Sequence, residues 1–152
     1  MNEITRAIMW GGVLCGTLDA VAAMTSFAIQ GTPPARVWQN VSSGLLGAQS
    51  FQKGWRTTAL GLLLHFLIAF IAASVFCLAA HYIPWMLRVP IVAGVLYGIA
   101  VFLVMSLVVL PRSAMPKRRV TRAGIISQLI IHMLFVGLPI SLSASAVMAT
   151  AS

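Results

Sequence analysis

The sequence predicts an all-α integral membrane protein, a four-transmembrane-helix bundle with a short interfacial or re-entrant helix in its first loop. Three observations carry this reading. Of the 152 residues, 60% are hydrophobic and 8% charged, with a mean hydropathy of +0.98, whereas a soluble domain carries about 25% charged and about 45–50% apolar residues. The apolar residues fall into four runs, each long enough to cross about 30 Å of hydrocarbon at 1.5 Å per residue. The ten Lys and Arg stand between those runs or at their ends. This balance excludes a disordered chain, a water-soluble enzyme and a disulfide-stapled secreted domain. Inside a bilayer the backbone must satisfy itself, which favours helices, and the alternating ten-residue segments of a membrane barrel are missing.

The single domain divides as follows. The first span covers about 4–29. It is too long for a signal-peptide core, and Asp19 would sit inside that core, so it remains as the first helix. The first loop holds a helix over about 33–44, with Thr32 as N-cap, Pro33 and Pro34 in the first turn and Gly44 as its stop. Val37, Trp38, Val41 and Leu45 share a face, so this helix lies in the inner interface. The alternative is a re-entrant segment whose Gln39, Asn40, Ser42 and Ser43 line a cavity, shielded from lipid by the bundle.

The second span covers about 57–80 and the third about 89–110, where Gly94 and Gly98 form a small-residue face available to a second copy of the chain. The fourth covers about 123–147. Its Pro139 should free a carbonyl one turn earlier and kink the helix. Ser141, Ser143 and Ser145 are expected to bond back to carbonyls of their own helix.

Charge orients the bundle. The net charge is +8, with Glu3 and Asp19 the only acids. Arg6 and Arg88 fall on the side of the termini, against Arg36, Lys53, Arg56, Arg112, Lys117, Arg118, Arg119 and Arg122 on the side of loops one and three. The positive-inside rule then places both termini in the periplasm and loops one and three in the cytoplasm. The partner of so basic a surface is the anionic inner leaflet rather than nucleic acid, with Lys117, Arg118, Arg119 and Arg122 as a headgroup-binding patch. Trp10, Trp55, Tyr82 and Trp85 stand near span ends, as in an aromatic belt.

Asp19, His65 and His132 are the ionisable side chains deep within spans. Counted from the cytoplasmic ends, they differ in depth by about one helical turn, so they form one polar layer with Thr17 and Gln128 as further partners. Each belongs to a stripe of small or polar residues suited to facing protein. Four uses of the layer stand side by side: a hydrogen-bonded cluster that sets helix register, a path for an ion, proton or small solute with Asp19 titrating, a b-type haem between His65 and His132, and a single metal ion on His65, His132 and Asp19. Cys15 and Cys77 lie at different depths and pack as small apolar residues. No second carboxylate accompanies Asp19 in the membrane, which removes paired-carboxylate catalysis, and no P-loop, CxxC or GxSxG motif occurs.

Several short segments, Gly16-Thr17-Leu18-Asp19, Ser42-Ser43-Gly44-Leu45-Leu46-Gly47, Leu64-His65-Phe66, Tyr97-Gly98, Val109-Leu110-Pro111, His132-Met133 and Val136-Gly137-Leu138-Pro139, resemble those of a family of small, uncharacterised bacterial inner-membrane proteins. The resemblance implies four helices in a bacterial inner membrane and brings no activity with it. It also implies Gly where this chain has Lys53. The working expectation is a non-enzymatic component of transport or permeation without a resident cofactor. The alternatives are an accessory subunit of a larger complex or homo-oligomer, and a haem-carrying electron-transfer subunit.

Overall fold

A computed structural model describes residues 1–117 and 121–149, and every regular element among them is helical. Helix α1 (Glu3–Ile29) starts where Asn2 Oδ1 accepts from the Thr5 N–H at 2.8 Å. Glu3 adds a negative charge to the positive end of the helix dipole. Helix α2 (Pro34–Leu46) begins one residue later than an N-cap at Thr32 would place it. Pro33 is the N-cap and makes no side-chain bond. The fixed φ of Pro34 suits the first turn, and its missing N–H would have had no partner there.

Gly44 does not stop α2. It stays helical, and its carbonyl accepts from the Ala114 N–H at 2.8 Å. The stop is Gly47, whose φ of +62° is the left-handed conformation that favours glycine. A 3₁₀ segment, Gly47–Gln52, then leads to Gly54, where a φ of +58° turns the chain into α3 (Trp55–Tyr82). Lys53 has a φ of −98°, so its side chain is accommodated without strain and the turn's positive φ falls on the neighbouring glycine.

A single turn, Trp85–Arg88, links α3 to α4 (Pro90–Arg112), and α5 (Arg122–Met148) begins with Thr121 Oγ capping the Gly124 N–H at 3.1 Å. Both late helices contain a π-helical stretch, Met105–Val109 in α4 and His132–Gly137 in α5. Each lies just before a proline, Pro111 or Pro139. A proline ring crowds the carbonyl four residues earlier and offers no N–H to it, so the preceding turn widens. The bend foreseen at Pro139 thus takes the form of a π segment.

Four helices, α1, α3, α4 and α5, are long and apolar enough to cross a membrane. Their inner faces are small: Ala7, Ala73, Ala80 and Ala144 are fully buried around Phe76 and Ile140. Their outer faces carry large apolar side chains, such as Leu63 and Leu107, each 67% exposed. In water such a surface would associate, whereas in hydrocarbon it is already solvated.

The Gly94/Gly98 face is internal and meets α5, not a second chain. A Cβ on Gly98 would stand 2.6 Å from Met133 Cα, and one on Gly137 would run into the Gly94 carbonyl and Gly98. Two of the three α5 serines, Ser141 and Ser145, also differ from expectation. Ser145 donates to the Leu87 carbonyl at 2.9 Å and Ser141 to the Pro90 carbonyl, so they tie α5 to the Trp85–Arg88 turn and to the first residue of α4. The missing side chains of Gly94, Gly98 and Gly137 let α4 and α5 approach this closely.

Candidate functional site

Two glycines one turn apart open the face of α1 to the aromatic rings of α3. A Cβ at Gly16 would stand 2.7 Å from Phe66 Cε1, and one at Gly12 would overlap the Phe70 ring. With α3 this close, His65 reaches the α1 backbone, and its Nε2 lies 2.8 Å from the Gly16 carbonyl oxygen. A carbonyl only accepts, so Nε2 carries the hydrogen. The opposite ring nitrogen, Nδ1, then faces Asp19 Oδ2 at 3.9 Å, an ion-pair distance.

An imidazole from the neighbouring helix facing Asp19 gives the carboxyl group a polar partner at this position in an apolar helix.

Helix α2 closes over this pair. Gly61, one turn before His65, lies against the Trp38 backbone so tightly that a Cβ there would overlap the Trp38 carbonyl. The Trp38 ring, 8% exposed, meets the His65 ring edge-on with centroids 5.4 Å apart. Phe66 flanks the same imidazole, also at 5.4 Å. Trp38 is the site residue that sequence reasoning missed, because on α2 alone it reads as one more apolar position. The available signal was Gly61 standing four residues before His65.

His132 lies within electrostatic reach of Asp19 but makes its bonds elsewhere. Its Nδ1 lies 2.8 Å from the Gln128 carbonyl of its own helix, and its ring meets Phe102 at 5.7 Å. Thr17 and Gln128 are exposed. Of the five residues assigned to the polar layer, the structure brings the side chains of Asp19 and His65 together across helices, and His132 meets Gln128 only through the backbone of their own helix.

Gln39, Ser42 and Ser43 of α2 are buried, and they are satisfied locally. Gln39 Nε2 donates to the Gly54 carbonyl at 3.2 Å, while the two serines bond back to the Gln39 and Asn40 carbonyls. Thr57 Oγ, also buried, donates to the Ser50 carbonyl at 2.6 Å. These bonds fasten α2 and the 3₁₀ segment to the first turn of α3. Asn40 differs from its neighbours, since it borders a cleft between the end of α1 and α2. Lys117 and Arg122 are exposed, and Arg118 and Arg119 lie outside the described residues.

Among the described residues no group of three His, Cys, Asp or Glu side chains could hold a metal ion. An axial haem bond to His65 would require one of its nitrogens to leave Gly16 or Asp19. Cys15 and Cys77 are free and buried. Compared with protein families, with curated proteins and with solved structures, the chain matches none.

Proposed function

We propose that the protein is a multi-pass component of a bacterial inner membrane, with its termini outside, in which the Asp19–His65 pair serves permeation of a small cation. The proton is the best-suited species. One observation carries the reading: a carboxylate and an imidazole on different helices face each other at 3.9 Å, with the far imidazole nitrogen anchored on Gly16. An ionisable group at this depth is costly, about 2.5–3.5 kcal/mol if charged and unpaired, and such groups usually serve a function. The pair can pass a proton between its members without a net charge appearing in the membrane. His132, nearby but unpaired with either, is the next station.

Flux decides this. Purified protein in proteoliposomes containing a trapped pH indicator is subjected to a potassium diffusion potential. Wild type should acidify or alkalinise the lumen faster than empty vesicles, and Asp19→Asn should fall to the empty-vesicle rate while keeping its helical circular dichroism. Equal rates for wild type and D19N would overturn the role of Asp19.

A second reading has its own observation. The His65–Gly16 bond ties α1 to α3, so the pair also sets helix register, as an accessory subunit of a larger complex would require. Under that reading wild type conducts no more than empty vesicles, and gentle extraction brings down a stoichiometric partner.

A further inference from the structure

The end of the bundle that carries loops one and three holds a cleft of about 460 Å³ between the last turn of α1 and α2. Its walls divide by chemistry. Phe27 and Phe51 supply an apolar side, while Gln30, Thr32, Arg36 and Asn40 supply polar groups. Arg36 is the single cation in the lining, and its guanidinium sits 5.4 Å from the centre of the Phe51 ring. Stacking of this kind orients the planar fork without using its N–H donors.

Among the described residues no carboxylate pairs with those donors. The chain contains two acids; Glu3 lies at the opposite end of α1 and Asp19 is paired with His65. Among the described residues Arg36 forms no ion pair or side-chain hydrogen bond. The other cations of this end, Lys53, Arg56, Arg112, Lys117 and Arg122, add to the same positive field. The N-terminus of α2 contributes little beyond its dipole, because Pro33 and Pro34 have removed two of its N–H groups. Recognition therefore rests on the Arg36 fork and the side-chain amides beside it.

We propose that this cleft binds a phosphate group, held by Arg36 with Asn40 and Gln30 at its rim, and that in the membrane the phosphate is the headgroup of an anionic phospholipid. A guanidinium meets a phosphate through two parallel, charge-assisted bonds. The Phe27–Phe51 side suits the glycerol and upper acyl carbons of such a lipid, and a free phosphate would leave that side uncovered. The site is separate from the Asp19–His65 pair, although it rests on the reading that this end lies at a membrane surface.

The test uses the full-length protein in mild detergent. Thermal unfolding and native mass spectrometry are followed with added phosphatidylglycerol, phosphatidylcholine or inorganic phosphate. Wild type should retain phosphatidylglycerol about tenfold more strongly than phosphatidylcholine, the size of a lost bidentate phosphate contact. Arg36→Gln should remove most of that preference while its melting temperature in phosphatidylcholine stays unchanged. Arg36→Lys, which keeps the charge and loses the fork, should fall between them, and it serves alone if R36Q does not fold. An equal Arg36-dependent shift with inorganic phosphate would keep the anion site and reassign its source to a soluble phosphate. Wild-type preference in R36K, or in R36Q, would overturn the built site and leave a diffuse basic surface. Asp19→Asn should leave lipid preference untouched, so failure of the permeation reading and failure of this one are read separately.

Discussion

His65 bonds to the Gly16 carbonyl with one nitrogen and faces Asp19 with the other, so its position is decided by two contacts on one neighbouring helix. Asp19 at that depth marks itself in the sequence, because an acid in an apolar run must find a proton or a partner. Its choice of His65 over His132 does not show in the sequence. Depth along the helices puts all three within a turn, and only the rotation of α5 turns His132 toward Phe102, while its Nδ1 bonds back to the Gln128 carbonyl of its own helix. Thr57 permits a second residue-level test. Thr57→Val keeps the buried shape and removes the donor to Ser50, and it should lower stability by about 1–3 kcal/mol, measured as detergent-solubilised unfolding against wild type. No change would mean that water reaches that carbonyl.

At the scale of the element, α2 is legible in outline and not in placement. Two prolines before an amphipathic stretch announce a helix near residue 34, and Gly47 supplies the positive φ that ends it. Gly44 stays helical, because the positive φ that ends the helix falls on Gly47 instead. Beside the Gln39 and Thr57 bonds, the close approach of Gly61 to the Trp38 backbone sets where α2 lies on α3. Gly61→Ala should therefore push α2 away, cost about 1–3 kcal/mol as overpacking does, and red-shift Trp38 fluorescence in a variant where the other three tryptophans are Phe. An unshifted spectrum would show that the backbone yields elsewhere. The π stretches of α4 and α5 follow the same logic, since a proline two residues beyond each segment is visible in the sequence while the close approach of the two helices is not.

For the whole molecule, orientation is the prediction that composition makes alone. Eight cations on the side of loops one and three, against two on the side of the termini, predict that those loops face the cytoplasm. In a background with Cys15 and Cys77 replaced by Ala, Asn2→Cys should react with a membrane-impermeant maleimide on intact cells, and Lys117→Cys only after permeabilisation. The reverse pattern would invert the topology and move the Arg36 cleft to the outer face.

Hydrophobicity, chain length and charge asymmetry determined by themselves that this chain makes long apolar helices, where each of them starts and stops within a few residues, and which end is basic. These properties are local, because each depends on the solvent preference and backbone chemistry of consecutive residues. Tertiary structure alone decided which small faces meet. Gly94 and Gly98 could have served a second copy and instead receive α5, Ser141 and Ser145 could have bonded to their own helix and instead hold α4 and the turn before it, and Asp19 takes one histidine of two. The physical reason is rotation about the helix axis. A turn of a helix changes every neighbour while leaving hydropathy and length the same, so close packing between glycines and backbone, rather than burial of apolar area, selects the arrangement.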